Sequence, residues 1–172
     1  GAAAFIGRAR VVPLRNTGAA ISPFNSFLIL QGIETLALRM DRICTNTIKV
    51  AEYLKKHAKV EWVNYAGLPD HADHALVQKY MGGRASGILS FGVKGGFEAG
   101  GRFQDALKLI TRLVNIGDAK SLACHPASTT HRQLSPAELA KAGVSPDMVR
   151  LSIGIEHIDD IVADLEQALA AV

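Results

Sequence analysis

Apolar residues recur along this chain with two different periods. Ile29, Ile33, Leu36, Met40, Ile43, Val50 and Leu54 follow one another in steps of four and three, with Thr47 filling the one gap. Such steps trace one face of a helix. Ser22-Pro23 supplies a capping hydroxyl and a first-turn proline ahead of it. The spacing therefore predicts one helix over 22–57, about 50 Å long at ~1.5 Å per residue. A stripe of that length needs more partner surface than a small domain offers, so the helix is expected to link two domains or to cross an interface. Residues 1–21 show no lasting period and are expected to be irregular.

Shorter elements follow. Val60–Val63 reads as a strand, Gly67–Pro69 as a turn, Asp70–Met81 as a helix stopped by Gly82-Gly83, and Ser86–Val93 as a second strand closed by Gly95-Gly96. Phe103, Ala106, Leu107, Ile110 and Val114 form another helical stripe. Residues 115–134 are polar, aperiodic and expected to be loop. Ser135 starts a short helix over Pro136–Ala142, which Gly143 stops. From Val149 to Ile155 the period is two: Val149, Leu151, Ile153 and Ile155 share one face, and Arg150, Ser152 and Gly154 the other. A last helix carries Ile158, Ile161, Val162, Leu165 and Leu169, with Asp159 and Asp160 in its first turn. The expected class is α/β, or α+β-like: a long helix, then a small sheet covered by helices.

Composition changes this picture little. The 172 residues carry a net charge of +3, and 48% are apolar, as in an ordinary globular domain. The basic residues are scattered. The densest group, Lys55, Lys56 and Lys59, sits where a helix ends, so nucleic acid is not an expected partner. No apolar run reaches the ~20 residues of a membrane span. Cys44 and Cys124 fit no metal or CxxC spacing and read as reduced thiols of a cytoplasmic protein. The chain opens Gly-Ala-Ala-Ala-Phe-Ile without Met and is expected to be a piece of something longer.

Arg150 is the first chemical candidate. Its neighbours on the strand face, Ser152 and Gly154, are too small to cover or pair a guanidinium, which needs an anion. Bidentate recognition of a carboxylate suits it, and so does a structural salt bridge; spacing leaves both open. Asn115 could offer an amide to a ligand, but Gly117-Asp118 after it make plain turn chemistry the first reading. Cys124, His125 and His131 match no zinc pattern and are expected to serve structural hydrogen bonds. His71 and His74 read as solvated residues at a helix start. The Gly-rich stretches at 82–84 and 92–96 form no phosphate-binding motif. On these residues alone the chain is an α/β domain with one candidate carboxylate-binding arginine.

Four segments add a resemblance: Arg15–Asn25 (RNTGAAISPFN), Gln31–Arg42 (QGIETLALRMDR), Asn115–His131 (NIGDAKSLACHPASTTH) and Val149–Glu156 (VRLSIGIE). In this order, and over nearly the whole chain, the sequence resembles the Cys/Met-metabolism PLP-dependent enzymes. Asn115 and the Ser-Thr-Thr-His131 form are most similar to the O-acetylhomoserine sulfhydrylase branch. The gamma-lyases and cystathionine enzymes usually carry Ser at the first place and a Met-Thr-His variant at the second.

The resemblance implies the C-terminal domain of a fold-type-I PLP enzyme with a mixed sheet. Residues 1–21 would end the large PLP-binding domain, 22–57 would be the linking helix, and 58–172 the substrate-side domain. Pyridoxal phosphate would be held by a lysine of a Ser-x-Thr-Lys motif that these 172 residues lack, so no catalytic residue is expected here and the piece alone should be inactive. Arg150 would grip the substrate α-carboxylate, Asn115 would help through its backbone or amide, and Thr130 would support the arginine. The implied reaction replaces acetate at Cγ of O-acetylhomoserine with sulfide or a thiol, giving homocysteine or methionine, in a cytoplasmic homotetramer. Two alternatives stand beside it. One is methionine gamma-lyase or cystathionine synthase/lyase chemistry, and the other is a stand-alone carboxylate-binding or interaction domain.

Overall fold

The computed structural model describes Gly1 and residues 3–172. The chain divides into two compact units, Gly1–Ala37 and Leu38–Val172.

The first unit is helical, where irregular chain was expected up to residue 21. Helix α1 (Ala4–Ala9) runs through a π-turn at Arg10–Leu14 into α2 (Arg15–Thr17). Ala4, Arg8 and Ala9 in it are good helix formers. Pro13, which has no N–H to give, sits inside the wider π-turn. Thr17 Oγ1 donates to the Pro13 carbonyl at 2.8 Å, and Gly18, at φ 63°, ends the run. Helix α3 (Pro23–Glu34) is capped as the sequence predicts, with Ser22 Oγ accepting from the Asn25 amide at 3.1 Å. The single helix expected over 22–57 is interrupted at Thr35, where ψ is 1°, and resumes as α4 (Leu36–Lys56). On α3 the apolar residues Phe27, Leu28, Ile29 and Leu30 are consecutive and all exposed, so the helix is apolar on every side.

The second unit is built on a five-stranded mixed sheet. Its strands are β1 (Val60–Asn64), β2 (Ile88–Val93), β3 (Thr111–Arg112), β4 (Leu122–Cys124) and β5 (Met148–Ser152). Their spatial order is β1-β2-β5-β4-β3, antiparallel except for the β3–β4 pair. Helices α5 (His74–Met81), α6 (Gly96–Ala106), α7 (Pro136–Lys141) and α8 (Ile158–Ala170) complete it.

Several boundaries differ from expectation for local reasons. The helix expected from Asp70 starts at His74, because the His71 ring takes the Asp73 amide and closes a turn first. The stripe expected to be helical from Phe103 to Val114 ends at Ala106. Beyond it the Asp164 carboxylate accepts the amides of Lys108, Leu109 and Ile110 at 2.9, 3.0 and 2.8 Å, and the chain turns into β3. The stretch expected to be loop over 115–134 contains β4 and a short 3-10 turn, Pro126–Ser128.

One face of the sheet carries Leu89, Phe91 and Val93 of β2 with Val149 and Leu151 of β5 and the following Ile153, all buried. They form one core with Val50 and Leu54 of α4, Phe103 of α6 and Ile161, Leu165 and Leu169 of α8. Phe91 and Phe103 meet edge-to-face at 5.5 Å. Each such side chain contributes about 1.5–3 kcal/mol on burial. The opposite face places Ser90 and Cys124 directly across from Arg150.

Candidate functional site

Arg150 stands on the central strand with a short side chain on each neighbouring strand. Neither Ser90 nor Cys124 offers a negative charge. Among the described residues no carboxylate lies within 4.0 Å of the Arg150 guanidinium, whereas Arg84 pairs with Asp41 and Arg112 with Asp105. Its hydrogen bond goes instead to a neutral acceptor: Nη2 donates to the Asn115 main-chain oxygen at 3.2 Å. One donor is fixed and the rest of the fork stays available to a planar anion.

The loop after β3 provides that oxygen. Asn115 Oδ1 accepts from the Ile116 amide at 2.8 Å, and Gly117 turns the chain at φ 74°. Asp118 Oδ1 accepts from the Lys120 amide at 3.0 Å and from Nζ at 2.9 Å. These donors, the amide first, hold the Asp118 carboxyl below the ordinary aspartate range. Asn115 therefore spends its side chain on its own turn and meets Arg150 through its backbone.

Thr130 is placed differently. Its hydroxyl is 2.8 Å from Nδ1 of His131, and among the described residues no hydrogen bond joins it to Arg150. It borders a groove of about 190 Å³ with Arg112, Val114 and Cys124. Thr129 is the residue that reaches Cys124, Oγ1 to Sγ at 3.2 Å.

The other histidines serve local structure. His125 is fully buried, with Nε2 2.8 Å from the Pro146 carbonyl and Nδ1 2.8 Å from Ser128 Oγ. A carbonyl only accepts, so Nε2 carries the proton and Nδ1 accepts from the serine. His71 Nε2 lies 2.8 Å from Asn64 Oδ1, and His74 Nε2 3.2 Å from Gln78 Nε2. Among the described residues no three His, Cys, Asp or Glu side chains are grouped to hold a metal ion. Both cysteines are buried free thiols, and burial pushes Cys44 up, away from thiolate chemistry.

Sequence reasoning missed the residues that tie the 115–121 loop down. Glu156 accepts from the Ser121 amide at 2.5 Å and from Ser121 Oγ at 2.9 Å, and Ser121 Oγ in turn accepts from the Gly154 amide at 2.9 Å. Asn46, 1% exposed, donates to the carbonyls of Gly154 at 3.0 Å and Glu156 at 2.9 Å. The available signal was Asn46 itself, a short amide beside the apolar stripe of α4.

The groove bordered by Arg112, Val114, Cys124 and Thr130 has no lysine in its lining. The Arg150 guanidinium fits a carboxylate, and the groove, without a lysine, does not fit the attachment of an aldehyde cofactor such as pyridoxal phosphate.

The sequence profile described as Cys/Met metabolism PLP-dependent enzyme matches residues 4–170. The chain is 54% identical over 170 residues to O-acetyl-L-homoserine sulfhydrylase 1 of Thermus thermophilus, covering 99% of this chain and 40% of that protein. Against O-acetyl-L-homoserine sulfhydrylase of Corynebacterium glutamicum it is 51% identical, covering 100% of this chain and 39% of that protein. A crystal structure from Campylobacter jejuni, assigned as an O-acetylhomoserine (thiol)-lyase and carrying a pyridoxyl-lysine phosphate, superposes with a TM-score of 0.88 at 46% identity, over 96% of this chain and 39% of that one. The chain thus spans about 40% of the length of the relatives it matches. By profile, identity and fold, the chain belongs to the Cys/Met metabolism PLP-dependent enzyme family.

Proposed function

We propose that these residues form the substrate-carboxylate portion of an O-acetylhomoserine sulfhydrylase, whose complete protein replaces acetate with sulfide or a thiol. The observation that carries this reading is Arg150: a guanidinium at the sheet centre, braced by a neutral carbonyl and facing no acid among the described residues. In the complete enzyme pyridoxal phosphate supplies an electron sink for reaction at the amino-acid carbons. Its lysine lies outside these residues, in keeping with the missing Ser-x-Thr-Lys motif and the lysine-free groove.

The part of this chain is orientation. Arg150 takes the α-carboxylate in a two-pronged contact and so fixes the Cα–H bond relative to the reacting group. Asn115 acts through its main-chain oxygen, which holds the fork in the plane the carboxylate needs. Thr130 lines a groove with Arg112, Val114 and Cys124. The complete protein is a cytoplasmic homo-oligomer, a tetramer as in the family, in keeping with the bare helix α3 and the reduced thiols. No helix of the described residues is long and apolar enough to cross a membrane.

The test uses the complete enzyme. Homocysteine should form from O-acetylhomoserine only when sulfide is supplied; release of an α-keto acid without sulfide would assign gamma-lyase chemistry instead. Arg150→Ala should weaken substrate use by about 2–4 kcal/mol. Unchanged activity in that variant would make Arg150 structural and sink the proposal.

A further inference from the structure

We infer that Glu156 is the positioning residue of the Arg150 clamp, acting through Ser121 on the loop that presents the Asn115 oxygen. This rests on the carboxylate reading of Arg150 and extends it to a residue four positions beyond the strand.

Arg150 and Asn115 are 35 residues apart, and a single hydrogen bond of 3.2 Å joins them. That bond constrains the guanidinium only as well as the 115–121 loop is itself constrained. The loop is exposed from Asn115 to Ile116 and again at Ala119-Lys120, so no burial holds it there. Before Asn115 the chain is held at Leu113, whose amide donates to the Ala123 carbonyl at 3.2 Å; after it the buried anchor is Ser121, whose amide and hydroxyl both donate to the Glu156 carboxylate. The Ile155 amide donates to the Ala119 carbonyl at 2.9 Å and adds a second tie.

The disposition of protons is unambiguous. A carboxylate only accepts, so the Ser121 hydroxyl proton points to Glu156 and its lone pair takes the Gly154 amide. Glu156 thus orients Ser121, and Ser121 anchors the backbone that leaves β5. Gly154 makes the close approach possible. A β-carbon there would lie 2.3 Å from the Ala119 oxygen and 2.4 Å from Glu156 Oε2. Asn46 grips the same 154–156 segment from α4. No cation lies within 4.0 Å of Glu156 among the described residues, so neutral donors define its geometry.

In the complete enzyme, Glu156→Ala should lower kcat/KM for O-acetylhomoserine about tenfold. Glu156→Gln, whose one oxygen can still take the Ser121 amide, should fall between. The selective readout is competitive inhibition by L-2-aminobutyrate and by its carboxamide. Glu156→Ala should weaken the acid about tenfold and the amide less than about twofold, because only the acid needs an oriented fork. Should Glu156→Ala not fold, Ser121→Ala removes the hydroxyl link alone and should show the same selective loss. If acid and amide weaken equally, or neither does, while Arg150→Ala still abolishes the preference for the acid, the inference is overturned and the carboxylate site stands. If Arg150→Ala leaves that preference intact, the site reading fails and the inference falls with it.

Discussion

Gly100 and His125 occupy one space: a β-carbon on Gly100 would stand 2.6 Å from Nε2 of the histidine ring. The ring cannot yield, because Nε2 holds the Pro146 carbonyl and Nδ1 holds Ser128. Gly100→Ala should therefore destabilise the fold by about 1–3 kcal/mol through overpacking. The adjacent Gly101, in the same helix with nothing within 4 Å of its added β-carbon, is the control. Gly101→Ala should stabilise by about 0.5–1 kcal/mol. Urea titration of both variants checks the pair, and equal effects would contradict the packing.

Asp164 is the hinge between α6 and β3. Its carboxylate takes three successive amides and the Gln167 side chain. An amide in its place loses an acceptor and turns a donor toward N–H groups. Asp164→Asn should cost about 1–3 kcal/mol, measured by chemical denaturation, with the loss in hydrogen-exchange protection centred on residues 108–110.

Lys59 closes the far end of α8. Its ammonium lies 3.0 Å from the Leu169 carbonyl and 2.8 Å from that of Val172, where a cation also suits the helix dipole. Lys59→Met keeps most of the stem and removes the charge. The expected loss is about 1 kcal/mol, read as a lower Tm that narrows toward wild type as salt is added.

Tyr65 is pushed up to about 12, first by burial; its hydroxyl donates to the Ser86 carbonyl at 2.9 Å. Its folded value lies above the unfolded value of about 10, so the stability it contributes is complete below that pH and is lost as pH rises through the folded value. Burial and the Glu166 carboxylate also raise Tyr53, so ultraviolet titration should show two of the three tyrosines ionising late, and Tyr65→Phe should remove one of them. Ionisation of that tyrosine near 10 would contradict its burial.

The sequence was most legible where one period ran uninterrupted. The alternation from Val149 to Ile153 is the buried face of β5, and the spacing of Ile161, Leu165 and Leu169 is the buried face of α8. It was least legible where a distant side chain decided the backbone. Nothing near Leu107 announces that Asp164, more than fifty residues on, will end the helix. Strands β3 and β4 have two and three residues, too few to show a period. Arg150 stood out because its face-mates are small, and of the backbone or amide expected of Asn115 it is the main-chain oxygen that meets Arg150. Glu156 gave no local sign, since its partner Ser121 lies on another loop.

Strand β5 is the last strand in the chain and the middle strand of the sheet. Strands β2 and β4, made earlier, pair with it and not with each other. During synthesis the two halves of the sheet thus wait, unjoined, until residue 152 has emerged. Such late, distant pairing slows folding. It also means that the Arg150 guanidinium arrives on the element that joins the two halves of the sheet.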